Sequence, residues 1–92
     1  MRHTKIVATI GPTSENEETL QEMIELGLNV ARLNFSHGTY DEHLGRINAV
    51  RHAAAQAGKC VAILLDTRGQ EIRLGVLENE PIYLRTGDKI TL

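Results

Sequence analysis

Near the start of the chain, Lys5-Ile6-Val7-Ala8-Thr9-Ile10 is a largely apolar, β-branched run closed by Gly11-Pro12, which predicts a short strand ending in a turn. Ser14 followed by Glu17 has the spacing of a capping box, so a helix is expected over about residues 15–26. Leu20, Met23 and Ile24 fall on one face of that helix, Glu18, Gln21, Glu22 and Glu25 take the other, and Gly27 supplies the left-handed stop. Asn29 to Asn34 reads as a second strand, apolar at its start and polar at its end. Thr39 and Glu42 make another capping box, followed by Leu44, Ile47, Val50 and Ala54 at helical spacing until Gly58. Val61 to Leu65 is a continuous apolar run ending in Asp66, the pattern of a strand buried on both faces of a parallel sheet. The order is β-α-β-α-β with short connections, which predicts an α/β fold, either a doubly wound sheet or part of a barrel. After Gly69 the pattern changes. Glu71 to Leu77, Ile82 to Leu84 and Lys89 to Leu92 are short strand candidates separated by turns at Glu78-Asn79-Glu80-Pro81 and Thr86-Gly87-Asp88, as at the opening of a β-rich second unit.

Composition narrows the classes of function. With 92 residues and only three aromatics, Phe35, Tyr40 and Tyr83, any core must be small and aliphatic. The net charge of −2 gives no basic excess for a nucleic acid or an anionic membrane. The longest apolar run, Cys60 to Leu65, is far shorter than the roughly 20 residues of a bilayer span. No apolar h-region follows the first residues, so no secretory signal is read, and the single cysteine, Cys60, fits a reducing cytoplasm. The same reasoning sets aside the sequon Asn34-Phe35-Ser36. Neither of the common glycine-rich phosphate loops is present.

In parallel α/β sheets ligands bind beyond the carboxyl ends of the strands. Those ends hold Thr9, Gly11 and Pro12; Arg32, Asn34, Ser36, His37 and Gly38; and Asp66, Thr67, Arg68 and Gly69. Alternation along the second strand puts Val30, Arg32 and Asn34 on one side. Arg32 has two readings, an ion pair with Asp66 across neighbouring strands or an anion clamp. Asn34, Ser36, Asp66 and the Thr67 carbonyl are hard oxygen donors with one carboxylate, a set suited to a weakly charged cation. His37 stands where a ligand could be touched, whereas His3, His43 and His52 are expected to be exposed, and Cys60 to be a packed thiol.

Three co-linear blocks carry a resemblance: Thr4-Lys5-Ile6-Val7-Ala8-Thr9-Ile10-Gly11-Pro12, Asn29-Val30-Ala31-Arg32-Leu33-Asn34-Phe35-Ser36-His37-Gly38 and Leu65-Asp66-Thr67-Arg68-Gly69-Gln70-Glu71-Ile72-Arg73. Together they resemble the N-terminal part of pyruvate kinase. The resemblance implies the first three β/α units of a (β/α)₈ TIM barrel over residues 1–69 and the start of a β-barrel lid over 70–92. It implies transfer of the phosphoryl group of phosphoenolpyruvate to ADP, giving pyruvate and ATP, in a cytoplasmic enzyme that is usually a homotetramer. Arg32 would then contact the phosphoryl group, as catalytic and substrate-binding residue. Asn34, Ser36, Asp66 and Thr67 line up with potassium ligands, and Asn34, Phe35, Ser36, His37 and Arg73 with the nucleotide site. Glu at position 71 goes with potassium dependence in the family. Ligands for Mg²⁺ or Mn²⁺, and the family's catalytic lysine, would lie outside this sequence. Losing both costs ~10⁴-fold or more in rate, so the isolated chain is expected to be inactive. Two departures stand out: Gln70 where the family has a hinge proline, which frees the lid, and Arg68 where it has lysine. The competing reading is a stand-alone, non-catalytic interaction module derived from such a start.

Overall fold

The computed structural model describes residues 3–91, so Met1, Arg2 and Leu92 lie outside the described residues. It contains β1 (Ile6–Thr9), α1 (Glu17–Glu25), β2 (Leu28–Asn34), α2 (Tyr40–Ala57) and β3 (Ala62–Asp66). The strands form one parallel sheet in the order β1-β2-β3, with Thr9 beside Arg32 and Asn34 beside Asp66 in register. Side chains alternate across β2: Leu28, Ala31 and Leu33 are buried, while Val30, Arg32 and Asn34 are only partly covered. The buried side packs against both helices, and Ile10, Leu20, Ile24, Leu33 and Val50 are its largest fully enclosed side chains. The other face of the sheet carries no helix among the described residues, and this one-sided winding is what leaves Arg32 and Asn34 accessible.

The helix boundaries correct the sequence reading in one place. Asn16, not Ser14, caps α1: its side chain accepts a hydrogen bond from the Thr19 N–H at 2.8 Å, so the helix starts at Glu17 and ends at Glu25. Ser14 closes the preceding turn instead, accepting from the Gly11 N–H at 3.1 Å. A short side chain can serve only one turn at a time, and the tight turn after Gly11-Pro12 claims the serine. The cap of α2 is as expected, with Thr39 accepting from the Glu42 N–H and Glu42 reaching back to the Thr39 N–H. Gly27 and Gly58 end the two helices at positive φ, 115° and 65°. Asn16→Ala is expected to destabilise the fold by about 1 kcal/mol and Ser14→Ala to leave the helix cap untouched. Chemical denaturation of the two variants checks this, and equal losses would return the cap to Ser14.

The buried stripe of α2 also differs from expectation. Val50, Ala53 and Ala54 face the sheet as helical periodicity requires, but the stripe continues upward through Arg46 and His43, and Leu44 is 56% exposed. His43 is therefore a buried histidine, not an exposed one, at 2% exposure. His52 is exposed as expected and pairs with Glu17 of α1 at 2.7 Å. Cys60, expected to be packed, is exposed, because it lies in the link ahead of β3. β3 is not buried on both faces either: Leu64 and Leu65 are 42% and 50% exposed, because β3 is an edge strand of the described sheet. From Gln70 to Thr91 no residue is in a strand, against the three candidates there; the last of these runs to Leu92, outside the described residues. A strand needs a hydrogen-bonding neighbour, and Ile72, Val76 and Tyr83 stand exposed with nothing alongside. The turns at Glu78-Asn79 and Thr86-Gly87 are formed as read. This tail carries the radius of gyration to 18.5 Å, against roughly 12 Å for a compact chain of the same length.

Candidate functional site: the carboxyl edge of the sheet

The polar residues collect at one end of the helix-free face because parallel strands in register deliver their carboxyl ends to the same edge. Arg32, in the middle strand, reaches both neighbours. Its Nε donates to Asp66 Oδ2 at 2.9 Å, an Nη group donates to the same oxygen, and the other Nη donates to Thr9 Oγ1 at 2.7 Å. The ion pair with Asp66, one of the two sequence readings of Arg32, is thus formed. Its side chains are about one third and two fifths exposed, so solvent screens the pair and it contributes about 1 kcal/mol or less to stability. Its main effect is orientation. Thr9 and Asp66 hold the guanidinium plane across the ends of three strands, where solvent still reaches it, and that is the requirement for an anion clamp.

The loop after β2 is fixed by its own backbone. The Phe35 N–H donates to the Asp66 carbonyl at 3.0 Å, Asn34 Oδ1 accepts from the Ser36 N–H at 3.1 Å, and the His37 N–H donates to the Asn34 carbonyl at 3.3 Å. Asn34, Ser36 and Asp66 are thereby brought together. Asp66 commits Oδ2 to Arg32 and Asn34 Oδ1 accepts from the Ser36 N–H, and the carboxylate, amide and hydroxyl oxygens of these three residues are of the type that could hold a weakly charged, oxygen-seeking cation. Thr67 follows directly and lines a cavity of about 480 Å³ with Phe35, Tyr40 and Arg68. His37 is exposed and borders a second cavity of about 330 Å³ with Thr9, Pro12, Asn34 and Arg46. Among the described residues no group of three or more His, Cys, Asp or Glu is disposed to hold a metal.

Arg73 is not brought to the strand ends by any described bond. It lies on the irregular tail and pairs with Glu71, its Nη2 donating to Glu71 Oε1 at 3.1 Å. That hydrogen bond holds the Glu71 carboxyl below the usual range against the opposing effect of desolvation, with further attraction from Arg73, Arg68 and His37. The arginine is raised in turn by the same hydrogen bond.

Sequence reasoning missed His43, Arg46 and Glu15, which enclose the back of the loop. The signal is present: positions 43, 46, 50, 53 and 54 form one continuous helical stripe, but its first two members are polar, so apolar periodicity points to Leu44 and Ile47 instead.

Fold and site together define a parallel β/α protein with an arginine held by Thr9 and Asp66 at the carboxyl edge of its sheet. The family profile described as "Pyruvate kinase, barrel domain" matches residues 1–92. A pyruvate kinase of Sporosarcina psychrophila is 55% identical over 92 residues, covering 100% of this chain and 16% of that protein. Those of Bacillus licheniformis and Staphylococcus aureus (strain USA300) are 54% and 53% identical over 90 residues, covering 98% of the chain and 15% of each relative. The chain belongs to the pyruvate kinase family, and it spans about one sixth of the length of these relatives.

Proposed function

We propose that this chain forms one wall of the active site of a pyruvate kinase that transfers the phosphoryl group of phosphoenolpyruvate to ADP. The observation that carries the reading is the Arg32 guanidinium, held by Thr9 and Asp66 at the carboxyl edge of a parallel sheet in a chain of this family. Charge in phosphoryl transfer spreads over the oxygens of the transferring group, and a planar, permanently charged cation with several parallel donors suits it. On this reading the sheet order β1-β2-β3 with both helices on one face is the first three strands of a (β/α)₈ barrel, its helix-free face turned inward. Residues 1–69 belong to that barrel and residues from 70 onward open a lid, whose hinge carries Gln70 in place of a proline and is the freer for it.

Asn34, Ser36, Asp66 and Thr67 would hold potassium, which supplies positive charge beside the transferring phosphoryl group. Asn34, Phe35, Ser36 and His37 form the nucleotide wall, joined by Arg73 when the tail folds over the site. The divalent metal that the reaction takes, Mg²⁺ or Mn²⁺, would be bound by residues outside this chain. The complete enzyme is a cytoplasmic homotetramer.

The test is a coupled assay on the full product of the gene. It should form pyruvate and ATP in equal amounts from phosphoenolpyruvate and ADP, with activity rising at least about ten-fold on replacing Na⁺ with K⁺. The 92-residue chain alone should give no turnover above background. Turnover by that chain in proportion to its concentration, or potassium-independent activity of the full product, would contradict the assignment of roles made above.

A further inference from the structure

The two buried polar side chains among the described residues, His43 and Arg46, lie behind the β2–α2 loop. They form a chain of contacts. His43 Nε2 donates to the His37 carbonyl at 2.7 Å, the Arg46 guanidinium lies 3.4 Å from His43 Nδ1, and Arg46 Nε donates to Glu15 Oε2 at 2.9 Å. Arg46 can only donate, so Nδ1 must be the unprotonated nitrogen and Nε2 carries the proton. The His43 ring also packs on Phe35, with centroids 4.4 Å apart. Gly38 presses its backbone against the same group: at its φ of 79°, an added Cβ would stand 2.9 Å from Glu42 Oε2 and 3.3 Å from His43 Nε2.

We propose that His43 is a positioning residue for the loop from Asn34 to Gly38: oriented by Arg46 and Glu15, its imidazole holds the His37 carbonyl and so sets where Ser36 and His37 stand. This rests on reading that loop as the nucleotide wall. The Glu15 end of the chain lies ahead of α1, so the loop after β2 is braced against the loop after β1, and the wall keeps its place relative to Thr9 and Arg32. A displacement of the wall by even an ångström weakens what it binds.

The experiment uses the full product of the gene with His43→Leu, which fills the space without a donor, and His43→Gln, whose amide N–H reaches about as far as Nε2. His43→Leu is expected to raise KM for ADP about ten-fold while kcat falls less than about three-fold, and His43→Gln to return KM to within about three-fold of the parent. A merely structural role predicts the opposite split, a smaller active fraction at unchanged KM. That split, or a glutamine variant as impaired as the leucine one, overturns the proposal. Should His43→Leu fail to fold, the glutamine variant and the ¹⁵N shifts of the His43 ring in the parent decide. A protonated Nε2 with a bare Nδ1 supports the brace, and the reverse tautomer overturns it. Failure of the parent itself to turn over phosphoenolpyruvate would overturn the phosphotransferase reading, and the ring shifts would still decide the contact.

Discussion

Arg32→Met in the full product of the gene is expected to lower kcat/KM for phosphoryl transfer by about 10³-fold or more, and Arg32→Lys to recover only a small part of it. The reason is geometric as well as electrostatic. Three guanidinium nitrogens are already engaged, two on Asp66 and one on Thr9, which fixes the plane of the group across the strand ends. A lysine ammonium restores the charge but not that plane, so the developing charge on a transferring phosphoryl group meets a point donor on a flexible stem. The exposed Arg32–Asp66 pair adds little to folding, so both variants should keep the parent's thermal midpoint within a few degrees. Loss of activity with an unchanged fold is the expected pattern. Parent-like activity in Arg32→Met would reduce the arginine to half of an ion pair.

Leu33→Ala is expected to cost about 3 kcal/mol, a large share of the stability of a domain this small, while Ile24→Val should cost about 1 kcal/mol. Leu33 is fully buried in the central strand, where the helices and the sheet meet, and both neighbouring strands hydrogen-bond to β2. With so few aromatic residues, the core depends on a handful of aliphatic side chains, and in a close-packed interior a cavity under the sheet is only partly filled by relaxation. Hydrogen exchange of the β2 amides reads this locally. They should exchange on the order of 100-fold faster in Leu33→Ala, and parent-like protection would place the core elsewhere.

The consequence for function follows from strand alternation. Leu33 and Arg32 are adjacent in sequence and point to opposite faces, so the residue that anchors β2 to the helices also fixes where the guanidinium emerges. On the proposed reading the site would need no glycine-rich phosphate loop, because the edge of the sheet would supply the frame and the arginine the charge.

The strands and the ends of α2 were legible in the sequence because local chemistry determines them: β-branched runs closed by Gly11-Pro12 or Asp66, a reciprocal Thr39 and Glu42 cap, and Gly58 at positive φ. The pairing of Arg32 with Asp66 was legible as one of two alternatives, because parallel register brings those positions close. What was not legible depended on competition or on neighbours. Ser14 and Asn16 are both good caps, and only the demand of the turn after Pro12 decides between them. His43 and Arg46 occupy core-facing positions as polar residues, which a search for apolar periodicity passes over; their burial becomes intelligible once Glu15 and the His37 carbonyl are seen to satisfy them. The segments from Glu71 onward have strand-like composition, yet pairing is a tertiary property and no neighbour is in place for them.

The most direct measurement is a crystal structure of the full gene product with phosphoenolpyruvate bound. The phosphoryl oxygens are predicted to lie about 3 Å from the Arg32 guanidinium, beyond the carboxyl ends of β1, β2 and β3. A phosphoryl group bound elsewhere, with Arg32 engaged only by Asp66 and Thr9, would contradict the assignment of Arg32 as the clamp.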